Sequence, residues 1–307
     1  MYNKIIIIFF SIFLLILLNH ILRDNADVKF LEKHETCQLF YNNDYINNLT
    51  FLDLKLRKIN SNPLKSYCDH SLDFTGKEKN NIINLIFKMN QKIKSNFTKK
   101  WKFAKVDNFV ENGYPHTHKD TIILPKVIIS NLDNSNNYKN MCSLFIHEKT
   151  HIYQRIYENS FKDLFINYWN FIEVKNIKNL DKILPLIRSN PDGLEIKWLF
   201  HFDNNFILPV SLYNNIYSIK NVDYVGIYVI KKGDEFIIPN NYKKQPLKSI
   251  KAFRIFFKNV ENNIYHPNEL SAEVFSFYYL NKLGLSSSLN SPCMKAFSEW
   301  YSTITQF

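Results

Sequence analysis

The stretch His147-Glu148-Lys149-Thr150-His151 decides how the rest of this sequence is interpreted. On a helix its two histidines, four residues apart, lie on one face, with a carboxylate directly beside the first imidazole. Two imidazoles at this spacing bind zinc, and the adjacent glutamate is placed to move a proton. The stretch therefore predicts a zinc site with His147 and His151 as ligands and Glu148 as the general base.

The residues around this stretch predict a long amphipathic helix. Neither Gly nor Pro occurs between Asn140 and Tyr157. Apolar side chains recur on one side, and a second stripe runs through positions 144, 147, 148, 151 and 155. An exposed surface helix would instead surround the two histidines mostly with Lys, Glu and Asn. We therefore expect a helix that packs one face in the core and directs the other face into a cleft.

A second helix is predicted to begin at Pro267. Proline suits the first turn of a helix, and Gly284 stands where a C-terminal cap is expected. Glu269 and Glu273 would share a face of this helix, where two carboxylates repel each other by about a few tenths of a kcal/mol unless a cation lies between them. Because a catalytic zinc usually has three protein ligands, this segment can supply the ligand that the two motif histidines leave open.

Together, HEKTH and the stretch NELSAE at residues 268–273 resemble the gluzincin branch of the zincin metallopeptidases, in which a second helix carries two acids four residues apart. This resemblance implies that Glu269 is the third zinc ligand and that Glu273 holds a ligand histidine without touching the metal. Ala272 corresponds to the small residue that lets the two helices approach. The resemblance also implies an α+β fold with a zincin-like core of a helix, a mixed sheet, the HEKTH helix and the glutamate helix.

The spacing of the two motifs departs from compact members of this group. Between His151 and Glu269 lie 117 residues, so we expect an inserted module within a zincin-like domain that spans residues 23–307. Residues 161–186 have a helical pattern. Short β-like runs follow at 196–202, 206–212, 224–230 and 235–238. These runs predict a small β-rich insert at about 190–245.

The segment before HEKTH has the element order of a zincin. Helical spacing runs over 79–95, and alternating patterns at 101–106 and 121–124 predict strands. In folds of this group the strand just before the zinc helix usually forms the edge of the cleft. We therefore expect a substrate to pair beside Ile122 to Leu124.

Hydrolysis at such a site needs a side-chain donor for the developing oxyanion. The candidates are His118, Arg155, Tyr265 and His266. His116 and His118 are also open to a second interpretation, because His-x-His on a strand is itself a metal-binding spacing. That pair lacks a matching general base, and a loop histidine without special role is a further alternative.

Composition limits the class of protein. At 307 residues, with 46% hydrophobic and 16% aromatic content, the chain is long and apolar enough to bury a core. The net charge of +11 comes without a compact basic stripe or a nucleic-acid motif, so no nucleic-acid partner is expected. The four cysteines form no Cys-x-x-Cys pair, and Cys37 and Cys68 are able to close a disulfide if the body is external.

An apolar run lies near the N-terminus. Residues 5–18 are apolar except Ser11, and the run continues with interruptions to Leu22. We interpret residues 1–22 as a signal anchor or signal peptide, and the lack of a small-x-small cleavage site favours an uncleaved anchor that contacts the membrane through residues 5–22. This predicts a single-pass membrane protein, or a secreted one if the segment is cleaved, and the flanking charges leave the orientation open.

The sequence thus favours a membrane-anchored or secreted zinc metallopeptidase that acts on a peptide or protein substrate, with Zn²⁺ as its cofactor and Glu148 as the base. One alternative is a catalytically inactive protein of the zincin fold, in which zinc serves structure or binding. Another is a membrane-associated structural protein in which HEKTH arose by coincidence. An intact Glu148 argues against a purely structural zinc, because such a site needs no general base.

Overall fold

The fold is α+β, with helices and two mixed sheets in a computed structural model. This structure describes residues 27–41, 44–59, 62–93, 95–192, 195–214, 219–287 and 290–304. The α-helices are Lys33–Tyr41, Asp44–Asn47, Phe51–Leu56, Pro63–Asp69, Gly76–Lys92, Lys126–Ser130, Tyr138–Ile156, Glu158–Asp163, Lys251–Phe256, Pro267–Lys282 and Pro292–Thr303. Strands β1 to β12 are Asp27–Phe30, Ser71–Leu72, Lys100–Val106, His116–His118, Thr121–Pro125, Phe171–Glu173, Ile177–Lys178, Trp198–Phe202, Asn205–Tyr213, Val222–Lys232, Glu235–Ile237 and Lys244–Pro246.

The first sheet has the order β1-β3-β5-β4, with β2 beside β3. Strands β1, β3 and β5 are parallel, whereas β2 and β4 run antiparallel to their neighbours. Successive side chains of β3 alternate between the faces: Phe103 belongs to the main core, and Ala104 belongs to a core formed with the N-terminal helices. Helices therefore cover both faces of this sheet.

The strand just before the HEKTH helix is not the edge of this sheet. Strand β5 pairs with β3 on one side and with β4 on the other, and Ile122 to Leu124 are fully buried. The prediction that a substrate pairs beside these residues is therefore wrong, because both backbone edges of β5 are already hydrogen-bonded within the sheet. Strand β4, His116–His118, is the terminal strand on this side.

Two long helices carry the sequence motifs. The first motif helix is Tyr138–Ile156 and the second motif helix is Pro267–Lys282, which confirms both predicted helices. The second begins with a proline in its first turn, and the imidazole of His266 caps it by accepting a hydrogen bond from the next helical N–H group. Just beyond its end, Gly284 has a φ of +72°, which is the left-handed conformation that favours glycine after a helix.

Small side chains bring the two motif helices together. Ser271, Ala272 and Ser276 are buried on the second motif helix. The Oγ of Ser276 donates a hydrogen bond of 3.0 Å to the carbonyl of Ser143 on the first motif helix. Larger residues at these three positions would push the helices apart, and the acids of one helix would then no longer face the histidines of the other.

The second sheet has the order β6-β8-β9-β10-β11-β7, with β12 beside β10. It includes β6 and β7, which lie upstream of the segment 190–245. The helical pattern predicted over 161–186 therefore fails after a π-helical turn at Leu164–Tyr168. Asn170 adopts a φ of +58°, and Phe171 then pairs with Phe200 of β8, so long-range strand pairing overrides the local pattern.

In the part of the chain that the structure describes, no helix has both the length and the apolar composition needed to cross a bilayer. Of the described α-helices, the first motif helix is the longest, with 19 residues, and it carries Lys, Arg, Glu and His side chains. This finding corrects the single-pass membrane localisation predicted from the sequence. Residues 1–22, to which the anchor or signal peptide was assigned, lie outside the described residues.

A disulfide bond joins Cys37 to Cys68 and links two of the N-terminal helices. The bond closes a loop with a sequence separation of 31 residues, which restricts the unfolded chain. Cys142 and Cys293 are free thiols buried in the main core. Cys142, five residues before the first motif histidine, is therefore a small core residue.

Candidate metal centre

His147, His151 and Glu269 converge at the crossing of the two motif helices. One ligand atom from each residue lies within 4.8 Å of the other two. The Nε2 atoms of the two histidines are 3.1 Å apart, and Oε2 of Glu269 lies 3.4 Å from Nε2 of His147. The other oxygen, Oε1, lies 3.7 Å from Nε2 of His151. The fold thus brings Glu269 next to two histidines that lie 118 or more positions earlier in the chain.

The spacing of these atoms fits a tetrahedral metal ion. Ligands at 2.0–2.1 Å from a tetrahedral zinc are separated from one another by about 3.3 Å. The two Nε2 atoms are 3.1 Å apart, and the two oxygens of Glu269 lie 3.4 Å from His147 and 3.7 Å from His151, so all three distances are close to this value. Two imidazoles and one carboxylate are also a donor set of catalytic zinc sites, which keep a fourth position open. The residues present therefore fit zinc.

The charges around the three ligands favour a cation. Burial alone lowers the pKa of His147, but its hydrogen bond to Glu269 and the charges of Glu269, Glu148 and Glu273 outweigh burial and raise that pKa to about 10. Burial raises the pKa of Glu269, but electrostatic interaction with His151 and His147 and the hydrogen bond from Asn190 bring it down to about 2. Both shifts favour a positive charge at the centre of the group, which is the charge that a metal ion would supply.

Glu148 is the least satisfied carboxylate of the group. The residue is 4% exposed and lines the same cavity as His147. Among the described residues, no hydrogen-bond donor reaches its Oε2 atom. Burial and the negative charge of Asp192 raise the pKa of Glu148 well above its ordinary value. A buried oxygen without a hydrogen-bond donor costs free energy unless a ligand or water donates to it. Such an oxygen is typical of a group that contacts a substrate.

Glu273 lies beside the metal ligands without joining them. Its Oε1 is 3.7 Å from Nδ1 of His147, on the side of the ring that faces away from His151. The same oxygen accepts a hydrogen bond of 3.1 Å from the side-chain amide of Asn263. Glu273 is therefore next to His147 but beyond hydrogen-bond distance from its ring.

Two amide side chains that the sequence analysis did not single out also contact the ligands. Gln154 accepts a hydrogen bond from Nδ1 of His151 at 2.9 Å, and Asn190 donates to Oε1 of Glu269 at 2.8 Å. Gln154 had a detectable signal, because it lies three residues after His151 and seven after His147, on the same helix face. Asn190 had none: its sequence context indicates only a turn.

Of the four residues proposed as oxyanion donors, Tyr265 alone lines the cavity that contains Glu148. Its hydroxyl accepts hydrogen bonds from the amide of Asn190 and, at 3.4 Å, from the guanidinium of Arg188. Because both of these partners are donors, the hydroxyl keeps its own hydrogen to donate. Burial raises the pKa of Tyr265, so the phenol stays protonated. Arg188, which the sequence analysis missed, also lines this cavity.

The other three candidates have different positions. His266 caps the second motif helix through Nδ1, its Nε2 lies 3.1 Å from the carbonyl of Glu195, and burial lowers its pKa to about 4. Arg155 contacts the carbonyl of Lys119 and the carboxylate of Asp192, and it lines a neighbouring cavity. His118 lies on the terminal strand β4 and does not line the cavity with Glu148.

The His-x-His alternative is not part of the ligand cluster. Within the described ranges, the group of His147, His151 and Glu269 is the one set of three or more potential metal ligands close enough to share an ion. His116 is buried, and its Nδ1 lies 3.3 Å from the carbonyl of Tyr114. Burial lowers the pKa of His116, so its ring stays neutral.

The cavity above the ligands has a volume of about 400 Å³. Residues from both motif helices and Tyr224 of the second sheet are among those that line it. Its rim is crossed by the turn that contains Asn190 and Asp192, and Asp192 accepts a hydrogen bond of 2.9 Å from the backbone N–H of Thr117 on β4. The turn therefore connects the candidate ligand Glu269 to the terminal strand of the first sheet.

Comparison with known proteins adds no relationship to this geometry. No protein-family model, no curated protein and no solved structure matches the chain.

Proposed function

We propose that the chain is a zinc-dependent metallopeptidase with a zincin-like core of the gluzincin type. The observation that carries this proposal is Oε2 of Glu148, a buried carboxylate oxygen without a hydrogen-bond donor among the described residues. It stands in a cavity beside three ligand atoms at zinc spacing. A structural zinc site would have no need for such a group, whereas hydrolysis requires a base at this position.

The ligands of the metal are His147, His151 and Glu269 in this proposal. Bound there, zinc supplies a Lewis acid that polarises a carbonyl group and makes water more acidic. Glu273 lies 3.7 Å from Nδ1 of His147, on the far side of its ring, and Asn190 donates a hydrogen bond to Glu269. These outer contacts help to position two of the three ligands before the metal arrives, which reduces the ordering cost of binding.

Glu148 performs the proton transfers. Its unpartnered Oε2 accepts a proton from the attacking water, and the same carboxyl group then donates that proton to the leaving amine of the peptide. Burial and the nearby negative charge of Asp192 both favour the protonated form, so the carboxyl can hold a proton between the two steps. One side chain thereby serves first as base and then as acid.

Tyr265 is the donor for the carbonyl oxygen as it gains negative charge. The two donors that contact its hydroxyl, Asn190 and Arg188, occupy the oxygen's acceptor positions and leave its O–H bond to point elsewhere. The guanidinium of Arg188 also lies over the Tyr265 ring, 5.8 Å from its centroid. A fixed donor of this kind is worth roughly a hundred- to a thousandfold in rate.

The test is zinc content together with peptide hydrolysis by the purified chain and its Glu148→Gln variant. We expect about one zinc per chain in both proteins, because Glu148 does not touch the metal. Hydrolysis of a peptide library should fall by roughly a hundred- to ten-thousandfold in the variant, since only the general base is lost.

Glu158→Gln is the matched control, because Glu158 is exposed just beyond the first motif helix. It should retain parental activity. Activity of Glu148→Gln within about threefold of the parent would contradict the peptidase mechanism. A parent that binds zinc but cleaves no peptide would favour the catalytically inactive protein of the same fold.

A further inference from the structure

Gln154 lies one turn after His151 on the first motif helix and is only 6% exposed. Both ends of its side-chain amide are hydrogen-bonded. The nitrogen contacts the carbonyl of Asn268 and the hydroxyl of Ser271, each at 2.8 Å, and the oxygen lies 2.9 Å from Nδ1 of His151. This single side chain therefore connects a metal ligand to the beginning of the second motif helix.

The orientation of the amide is determined by its neighbours. A backbone carbonyl can only accept a hydrogen bond, so the group that contacts Asn268 must be the amide nitrogen. The hydroxyl of Ser271 donates to the same carbonyl at 3.0 Å and therefore offers its lone pair to Gln154. The nitrogen of Gln154 thus has two acceptors on the second motif helix, and its oxygen must face His151.

This orientation determines the tautomer of His151. Because the amide oxygen can only accept, Nδ1 of His151 must carry a hydrogen and donate it. In the neutral ring the lone pair then lies on Nε2. That atom is 3.1 Å from Nε2 of His147 and 3.7 Å from Oε1 of Glu269, inside the ligand group. The ring is thus prepared to bind a metal through the correct nitrogen.

We propose that Gln154 is a positioning residue of the metal centre, resting on the zinc site proposed above. It holds His151 in the tautomer whose Nε2 is free for metal, and it ties the first motif helix to Asn268, the residue next to Glu269. His147 has no equivalent lock, since Glu273 lies 3.7 Å from its Nδ1. One amide therefore contacts one proposed ligand directly and the residue next to a second one on the other helix.

The test uses Gln154→Met, which keeps the length of the side chain and removes all three hydrogen bonds. Long-range ¹H–¹⁵N NMR of the metal-free protein reports the tautomer of each histidine. We expect His151 to be the Nδ1–H tautomer in the parent and a mixture of both tautomers in the variant. Zinc affinity, measured by chelator competition, should weaken by roughly ten- to a hundredfold, the usual effect of losing an outer partner of a ligand.

Gln154→Glu separates the two parts of the role. A carboxylate still accepts from His151 but cannot donate to Asn268 or Ser271. The Nδ1–H tautomer should therefore be kept, while zinc affinity falls only part of the way. If Gln154→Glu shows the same tautomer mixture as Gln154→Met, the acceptor role is overturned. This variant also decides the matter if the methionine variant does not fold.

The control is Gln245→Met. Gln245 lies in the second sheet, where its side-chain oxygen accepts a hydrogen bond of 3.0 Å from the hydroxyl of Tyr228. Its loss should leave both the tautomer and the zinc affinity unchanged. An unchanged tautomer in Gln154→Met together with zinc affinity within about threefold of the parent would overturn the proposal. A parent without zinc would instead contradict the proposed function, and the tautomer measurement on metal-free protein would still test Gln154.

Discussion

Two clusters of buried ionisable residues each contribute side chains to the same cavity, and they differ in how completely their charges are paired. The arginine cluster consists of Arg57 and the acids Asp53 and Glu111, joined by tyrosine hydroxyls. The metal cluster consists of two histidines and three glutamates: His147, His151, Glu148, Glu269 and Glu273. Both are built from side chains that are largely withdrawn from water, so the difference lies in their partners and not in their burial.

In the arginine cluster each charge has several partners. Arg57 contacts Asp53 at 2.8 Å and Glu111 at 3.0 Å. The hydroxyl of Tyr213 donates to Asp53 at 2.7 Å, and Tyr45 donates to Glu111 at 2.9 Å. Burial raises the pKa of both acids, but the positive charge of Arg57 and the hydrogen bonds outweigh burial and hold each pKa below its ordinary value. Such a cluster is complete without any ligand.

In the metal cluster the charged groups are not fully paired. Three carboxylates face two imidazoles, Oε2 of Glu148 has no donor among the described residues, and the surrounding acids raise the pKa of His147 to about 10. A buried charged group with all its hydrogen bonds and ion pairs is therefore a structural feature. A buried charged group that still lacks a partner is a functional candidate, because a ligand can supply that partner. Each of the following experiments tests this distinction.

The largest effect is expected from the metal ligands themselves. His151→Ala and Glu269→Gln should each reduce zinc content from about one per chain to none, because two protein ligands do not retain zinc at a catalytic site. Elemental analysis after dialysis measures this. His201→Ala is the control, since His201 is an exposed residue that stacks on Phe206 in the second sheet. Full zinc retention by His151→Ala would move the site elsewhere, with His116 and His118 as the next candidates.

The second effect is on stability. Arg57→Met should lower the free energy of unfolding by about 3–5 kcal/mol, because it leaves Asp53 and Glu111 buried without a cation. Urea denaturation measures this, and zinc stoichiometry at saturating metal should not change. A loss below about 1 kcal/mol would show that the acids find other partners, and the proposed contrast between the clusters would weaken.

The third effect concerns the acid beside His147. Glu273→Gln should weaken zinc affinity by roughly ten- to a hundredfold while retaining the site, since Glu273 holds a ligand without binding the metal. Chelator competition measures the affinity. If Glu273→Gln abolished zinc binding and Glu269→Gln only weakened it, the ligand would be Glu273 and the assignment would be wrong by one helical turn.

The smallest effect is a change in the free energy of unfolding whose sign is expected to differ between two Glu→Gln substitutions. In zinc-free protein, Glu148→Gln should raise the free energy of unfolding by about 1 kcal/mol, because it removes an unpartnered buried acid. Glu111→Gln should lower it by about 1–3 kcal/mol, because Arg57 and two tyrosines lose a charged acceptor. Urea denaturation of the two variants side by side decides the point. Destabilisation by both would place Glu148 among the structural charges.

The local elements of the site could be predicted from the sequence. Both motif helices, the two strands before the first of them and four strands of the second sheet, β8 to β11, follow from hydrophobic periods of 3.6 and 2 and from Pro and Gly signals. Two predictions failed where distant segments compete. Phe171 became a strand residue because it pairs with Phe200, and Ile122 to Leu124 lost their open edge because β4 folds back beside them.

The contacts around the ligands could not be predicted from the sequence. Asn190 meets Glu269 across a separation of 79 positions, and Arg188 meets Tyr265 across 77. A turn signal at Asn190 describes the local backbone only, and nothing in it indicates a partner so far along the chain. Likewise, four residues remained equal candidates for the oxyanion donor until the cavity distinguished Tyr265 from the others.

The sequence by itself therefore determined the chemistry that is available: two imidazoles and an acid on one helix face, and two acids on another. These are fixed by spacing within a single helix, where geometry is local and periodic. Only the tertiary structure decided that Glu269 meets both histidines, that Gln154 orients His151, and that the oxygen of Glu148 is left without a donor. The reason is physical: partners and burial depend on contacts between distant segments, which no local pattern encodes.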